Sequence, residues 1–190
     1  MARDREILDA AEHLFYKQGF AGVTMGEIGS AVGISGPAVY RHFATKAEIL
    51  SALYHEAFDE LLAGVAIETE DPQADLDRLL RHHVEFVLRR RELALVYSRE
   101  TNGLSEVERR QFRRRARQYT ARWEAALARV YPDAPKDLIV AVSHAVIPVM
   151  NSVAYWPPEA LEVSDLPDML RRIAAETVRT LKLGSEVRAM

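Results

Sequence analysis

The sequence predicts an all-α protein of about nine helices, and three observations carry that prediction. Apolar residues recur at three- and four-residue spacing along most of the chain. The helix-opening form Ser/Thr-x-x-Glu stands at Thr24–Glu27, Thr45–Glu48 and Ser105–Glu108. No stretch alternates apolar and polar residues for long enough to make a strand. With 190 residues, 48% hydrophobic and 28% charged, the chain can bury a real core as one large domain or two small ones. Cysteine is absent, which excludes disulfides, thiol catalysis and zinc–thiolate sites.

The first helix has its apolar stripe at Ile7, Leu8, Ala11, Leu14 and Phe15, and Gly19 ends it. Thr24 caps a short second helix, which Met25, Ile28 and Val32 anchor and Gly33 stops. Ser35 is placed to cap a third, with Gly36 and Pro37 in a first turn where proline costs no helical bond. Val39, Tyr40 and Phe43 give that helix an apolar side. Thr45 and Glu48 open a long fourth helix with apolar positions from Ile49 to Val65.

Asp71-Pro72 marks a break. A fifth helix follows to about Arg91, with Leu76, Leu79, Leu80, Val84 and Val87 on one face. A sixth runs from about Leu93 to Glu100 and ends near Asn102-Gly103. Ser105 opens a seventh that reaches Val130. On a helical wheel Phe112, Ala116, Tyr119, Trp123, Ala126, Leu127 and Val130 share a stripe, and Arg110, Arg113, Arg114 and Arg117 point away from it. An eighth helix covers about 136–155, where Pro148 is expected to kink it and Pro157-Pro158 to end it. The last covers about 164–183.

Helices two and three, joined by Val32-Gly33-Ile34-Ser35, have helix-turn-helix spacing. The third is too short to bury much, yet it presents small residues first and Tyr40, Arg41 and His42 next. Small groups at a helix N-terminus permit close approach to a groove floor, and Tyr, Arg and His reach phosphates and base edges. Over residues 7–50 the string Ile7-Leu8-x-Ala10-Ala11-x-x-Leu14-Phe15, Gly19-Phe20-x-x-Val23-Thr24, Val32-Gly33-Ile34-Ser35, Val39-Tyr40-x-His42-Phe43-x-x-Lys46-x-x-Ile49-Leu50 resembles the N-terminal domain of TetR-family transcriptional repressors. The rest of the chain matches that family in helix count and length only.

The resemblance implies a DNA-binding domain over residues 1–48 and a helical ligand-binding and dimerisation domain over 49–190. It implies that Thr24 touches a phosphate, that Ser35, Gly36, Pro37 and Ala38 begin the recognition helix, and that Tyr40 and His42 contact the backbone. Arg41 is then the base reader, and Lys46 meets a phosphate at the start of the fourth helix. It also implies a homodimer through the last two helices, an operator of double-stranded DNA and a small-molecule effector.

Residues 1–50 carry a net charge of −1, so affinity for DNA in general should be weak. Residues 51–77 carry −8 and residues 78–129 carry +8. Phe86, Tyr97, Tyr119 and Trp123 would wall an effector pocket, with Arg109 and Arg115 able to turn inward. His144 and Asn151, polar groups in an apolar helix, need partners that protein, water or ligand could supply.

Two readings compete with an effector-released repressor. One is an activator or constitutive DNA binder without an effector. The other is a sensor of an anionic acyl-CoA-type ligand, received by Arg99, Arg109 or Arg115. No catalytic constellation, metal-ligand spacing or cofactor loop is evident, His82-His83 included. The charged opening lacks a signal-peptide core, and the apolar run Ile139–Met150 reads as a buried helix and not a membrane span. A cytoplasmic location is the resulting expectation.

Overall fold

The computed structural model describes residues 2–66, 68–100 and 103–188, with side chains as far as Lys182. Its elements are α1 (Ala2–Gly22), α2 (Met25–Ala31), α3 (Gly36–Val39), α4 (Lys46–Gly64), α5 (Pro72–Arg89), α6 (Arg91–Arg99), α7 (Glu106–Val130), α8 (Lys136–Asn151), α9 (Pro158–Leu161) and α10 (Leu166–Arg188). A 3₁₀ turn, Ser152–Tyr155, follows α8 directly. No strand occurs among the described residues. The all-α fold is therefore as the periodicity predicts.

The predicted helix ends have visible causes. Gly19 sits at φ 74°, ψ 154°, so the regular first helix stops there although a further turn follows to Gly22. At α2 both halves of the capping box form: the Glu27 N–H donates to Thr24 Oγ1 at 3.2 Å, and the Thr24 N–H to Glu27 Oε2 at 2.7 Å. Ser105 and Glu108 make the same exchange before α7. At Thr45–Glu48 the pattern is shifted by one residue, because the Glu48 carboxylate takes the N–H of Ala44.

Two expectations need correction. Ser35 makes no side-chain cap bond, and α3 is regular for four residues only. Bonds from the Arg41 N–H to the Ala38 carbonyl and the His42 N–H to the Val39 carbonyl then carry a tighter helical path onward. α8 runs through Pro148 to Asn151 and then narrows to the 3₁₀ turn. The four-residue α9 was not predicted; Pro158 at its first position gives up no helical bond. The expected stop at Asn102 lies outside the described residues.

The chain forms two compact units, residues 1–59 with 92–114 and residues 60–91 with 115–190. The first has a core of Ile7, Ala11, Phe15, Ile28, Val39, Ile49, Leu50, Leu53 and Tyr54, all under 2% exposed. An aromatic cluster adjoins it, with Tyr54 edge-on to Tyr97 at 5.1 Å and to Phe112 at 5.5 Å between ring centroids. The second unit is centred on Leu76, Val84, Trp123, Leu127, Val146, Met150 and Ala174. There α10 packs mainly along α8 and also against α5. Each fully buried side chain of this kind contributes roughly 1.5–3 kcal/mol.

Candidate functional site

Two glycines build the helix-turn-helix. A Cβ on Gly29 would stand 2.8 Å from the Ile34 carbonyl oxygen and 3.0 Å from Val39, so only glycine lets α2 approach the turn this closely. Gly33 occupies φ 71°, the left-handed region that ends α2. A Cβ on Gly36 would likewise sit 3.3 Å from the Cα of Gly26. Arg3 of α1 adds a tie, donating to the Val32 carbonyl at the end of α2 at 3.1 Å. These contacts fix the direction in which α3 and the turn after it project.

The residues expected to meet DNA divide into three groups. Ser35, Pro37, Tyr40, Arg41 and His42 are exposed, Tyr40 at 57% although it is a large aromatic. Thr24 is exposed too, its hydroxyl donating to Glu27 at 2.7 Å. Gly36 is half-buried and Ala38 is buried. Lys46 differs most from expectation. Its ammonium donates to the carbonyls of Phe20, Ala21 and Val23 at 2.6, 3.1 and 2.8 Å. All three donors therefore close the end of α1, where unpaired carbonyls attract a cation, and none is directed to a phosphate. His42 Nδ1 lies 2.6 Å from Asp4 Oδ1.

The second unit has a buried polar centre. His83 on α5 is 2% exposed, with Nδ1 2.7 Å from the Tyr119 hydroxyl and Nε2 3.0 Å from Asn151 Oδ1. The amide oxygen accepts, so Nε2 carries the hydrogen and Tyr119 donates to the bare Nδ1. Burial holds the imidazole neutral, pushing it down to about 4, and raises the Tyr119 phenol above its ordinary range. Trp123 lies edge-on to both His83 and Tyr119, at 6.0 and 6.4 Å between ring centroids, and its indole is fully enclosed.

Three of the expected ligand residues, Tyr119, Trp123 and Asn151, thus meet around His83. Phe86 is buried on the same helix as His83. Tyr97 belongs to the aromatic cluster of the first unit. Arg109, in that unit as well, donates to the Leu104 carbonyl at 2.7 Å and pairs with Glu106. Arg115 is half-buried and Arg99 exposed. His144 is exposed, so the buried histidine of this region is His83 and not His144.

The second unit also has an open groove of about 510 Å³ lined by Leu62, Ala66, Gln118, Ala121, Arg122 and Ala125. Beside it Asp75, 3% exposed, accepts from the Thr69 N–H and hydroxyl and from Arg129 at 2.7–2.9 Å. These donors, the Thr69 N–H foremost, hold its carboxyl well below the usual range. Among the described residues no group of three or more His, Asp or Glu is placed to hold a metal.

Residues 7–53 match the family model for bacterial regulatory proteins of the tetR family. Residues 69–158 match that of the tetracyclin repressor-like C-terminal domain. The chain belongs to the TetR family.

Among relatives of this TetR-family protein, the transcriptional regulator TtgR of Pseudomonas putida is 39% identical over 79 residues. That alignment covers 40% of this chain and 38% of TtgR, so the match spans well under half of the relative. A tetR-family regulatory protein from Rhodococcus RHA1 superposes with a TM-score of 0.81 at 24% identity, covering 94% of this chain and 96% of that one. AibR, solved with isovaleryl coenzyme A and operator DNA, gives 0.75 at 22% identity, covering 93% and 96%. At these identities the solved structures show a shared fold.

Sequence reasoning missed Asp4, the partner of His42, and His83, the hub of the buried centre. Asp4 lies 38 residues from His42, and His83 lies 36 and 68 residues from its partners. The one local signal for His83 was its place among the apolar positions of α5, one residue from Val84.

Proposed function

We propose that this TetR-family protein is a transcriptional repressor that binds an inverted-repeat operator as a homodimer and is released by a small molecule. The observation that carries the DNA-binding part is the exposed set Tyr40, Arg41 and His42, projected from a turn that Gly29, Gly33 and Arg3 hold in one geometry. A recognition element of this kind needs rigid placement and bare polar groups, and a merely structural helix needs neither. Arg41 reads a base edge, and Thr24, Tyr40 and His42 position the backbone, with Ser35, Gly36 and Pro37 allowing close approach.

The dimer reading rests on α8. The segment Lys136–Tyr155 is apolar enough along its length to cross a membrane, yet only 39% of its most apolar window is buried within the chain. Its bare face carries Ala141, Ala145 and Pro148, and α10 leaves Ile173 42% exposed. A second copy of the same helices would cover these small apolar surfaces across a two-fold axis.

The effector reading rests on the buried centre, where His83, Tyr119, Asn151 and the enclosed Trp123 indole gather. Such a place suits an uncharged ligand that can accept a hydrogen bond. The anionic acyl-CoA reading has less support here, because Arg109 is already engaged and Arg99 is exposed. A ligand releases DNA only if it binds the two conformations with different affinity. Thermal shift against uncharged aromatic and carbonyl compounds, followed by titration of hits into the DNA complex, tests this. A hit that stabilises the protein and lowers DNA affinity is the expected result. Stabilisation without any change in DNA affinity would contradict it.

A further inference from the structure

The open groove of the second unit adjoins a small charged niche, and Arg122 lines both. Along α7 the groove is lined by two rows. Ala121 and Ala125 stand one helical turn apart, and so do Gln118 and Arg122 beside them. Leu62 of α4 and Ala66 complete the lining. From Gln118 to Ala125 the helix rises roughly 10 Å. The groove volume of about 510 Å³ lies within the range of small-molecule sites.

The niche, about 20 Å³, has room for little more than a water, so only its rim can serve a ligand. Its lining sets three guanidinium groups, of Arg78, Arg122 and Arg129, against two carboxylates, of Glu68 and Asp75. Asp75 takes Arg129 at 2.7 Å and Arg78 at 3.0 Å. Arg122 reaches Glu68 only at 3.6 Å, beyond hydrogen-bond length, and both side chains are more than half exposed. A surface pair of that length holds weakly. One positive charge is therefore in excess where the niche meets the groove.

We propose that this groove binds an amphiphile carrying one carboxylate. The head pairs with Arg122, with Gln118 as a second donor, and the apolar body lies along Ala121, Ala125, Leu62 and Ala66. A carboxylate matches the guanidinium fork with two parallel bonds. It also brings the local charges to three against three. A neutral amphiphile would gain the apolar contact alone, and a cationic one would meet an excess of its own sign. The groove shares no residue with the centre at His83, and the proposal does not depend on that centre receiving an effector.

Isothermal titration calorimetry of the full chain with octanoate, octanol and octyltrimethylammonium, each below its micelle concentration, tests this. Octanoate should bind once per chain and at least about tenfold more tightly than octanol, and octyltrimethylammonium should show no saturable binding. Arg122→Gln should weaken octanoate about tenfold and leave octanol unchanged. Glu68→Gln should tighten octanoate about threefold, because it removes the competing carboxylate. Ala125→Leu should weaken octanoate and octanol alike by filling the groove. All three positions are exposed, and circular dichroism shows that each variant is folded. Octanol binding as tightly as octanoate would overturn the proposal. So would wild-type octanoate affinity in Arg122→Gln, or no saturable octanoate binding to the wild type.

Discussion

The first unit places most of its hydrogen-bonding side chains at helix ends and on its surface, with Ser51 and the Tyr54 hydroxyl buried, whereas the second links several of its own around buried His83. In the first unit Thr24, Glu48, Lys46 and Arg3 each satisfy a nearby backbone group, and Tyr40 and Arg41 are left bare. In the second, buried His83 accepts from buried Tyr119 and donates to half-buried Asn151. An exposed polar group is free to exchange water for a partner at little cost. A buried one must be replaced bond for bond. Under the proposed function, recognition falls to the first unit and the response to a ligand to the second.

Crossed substitutions break this comparison most sharply. Trp123→Ala removes a fully enclosed indole and should cost about 3–5 kcal/mol in chemical denaturation. Arg41→Ala should leave that measurement within about 0.5 kcal/mol of wild type while weakening operator binding by about 1–3 kcal/mol per half-site. An Arg41→Ala protein that unfolds early, or that keeps its operator affinity, would erase the distinction.

Acid sharpens it next. In the unfolded chain an imidazole titrates near 6.5, and in the fold burial holds His83 down to about 4. The unfolded state therefore binds the proton first. Stability should be complete above about pH 6.5 and fall by on the order of 3 kcal/mol as pH drops toward 4. His83→Gln should flatten this interval, as urea unfolding at a series of pH values would show. Asp75 acts lower: its carboxyl is held below the usual range, so its contribution fades only below about pH 4.

Smaller effects belong to the helix ends of the first unit. Thr24→Ala should cost about 1 kcal/mol by deleting one half of the capping box. Lys46→Met should lower stability by a similar amount, about 1 kcal/mol, and leave the salt dependence of DNA binding unchanged, since the ammonium serves α1 and not a phosphate. A salt slope reduced by about one for each head would restore Lys46 as a phosphate contact.

What was legible in the sequence follows the range of the interactions. Capping boxes at Thr24 and Ser105 and the helix stops at Gly19 and Gly33 are local, and the structure has all of them. The exposed positions of the recognition segment followed from its short, polar sequence. The hydrogen bonds of Lys46 were not legible because its partners lie on another element: the end of α1 supplies the carbonyls that take up the lysine. The second unit was harder. His144 and His83 look alike along the chain, and which one is buried depends on how α5, α7 and α8 meet. The aromatic wall expected from Tyr97, Tyr119 and Trp123 divides between the two units for the same reason.

The most direct test of the central claim is selection of wild-type binding sites from random duplex DNA at moderate salt. The account predicts enrichment of a single inverted repeat, with Arg41→Ala losing preference at one base position in each half-site. Protein shown to be folded and dimeric that enriches no sequence would contradict it.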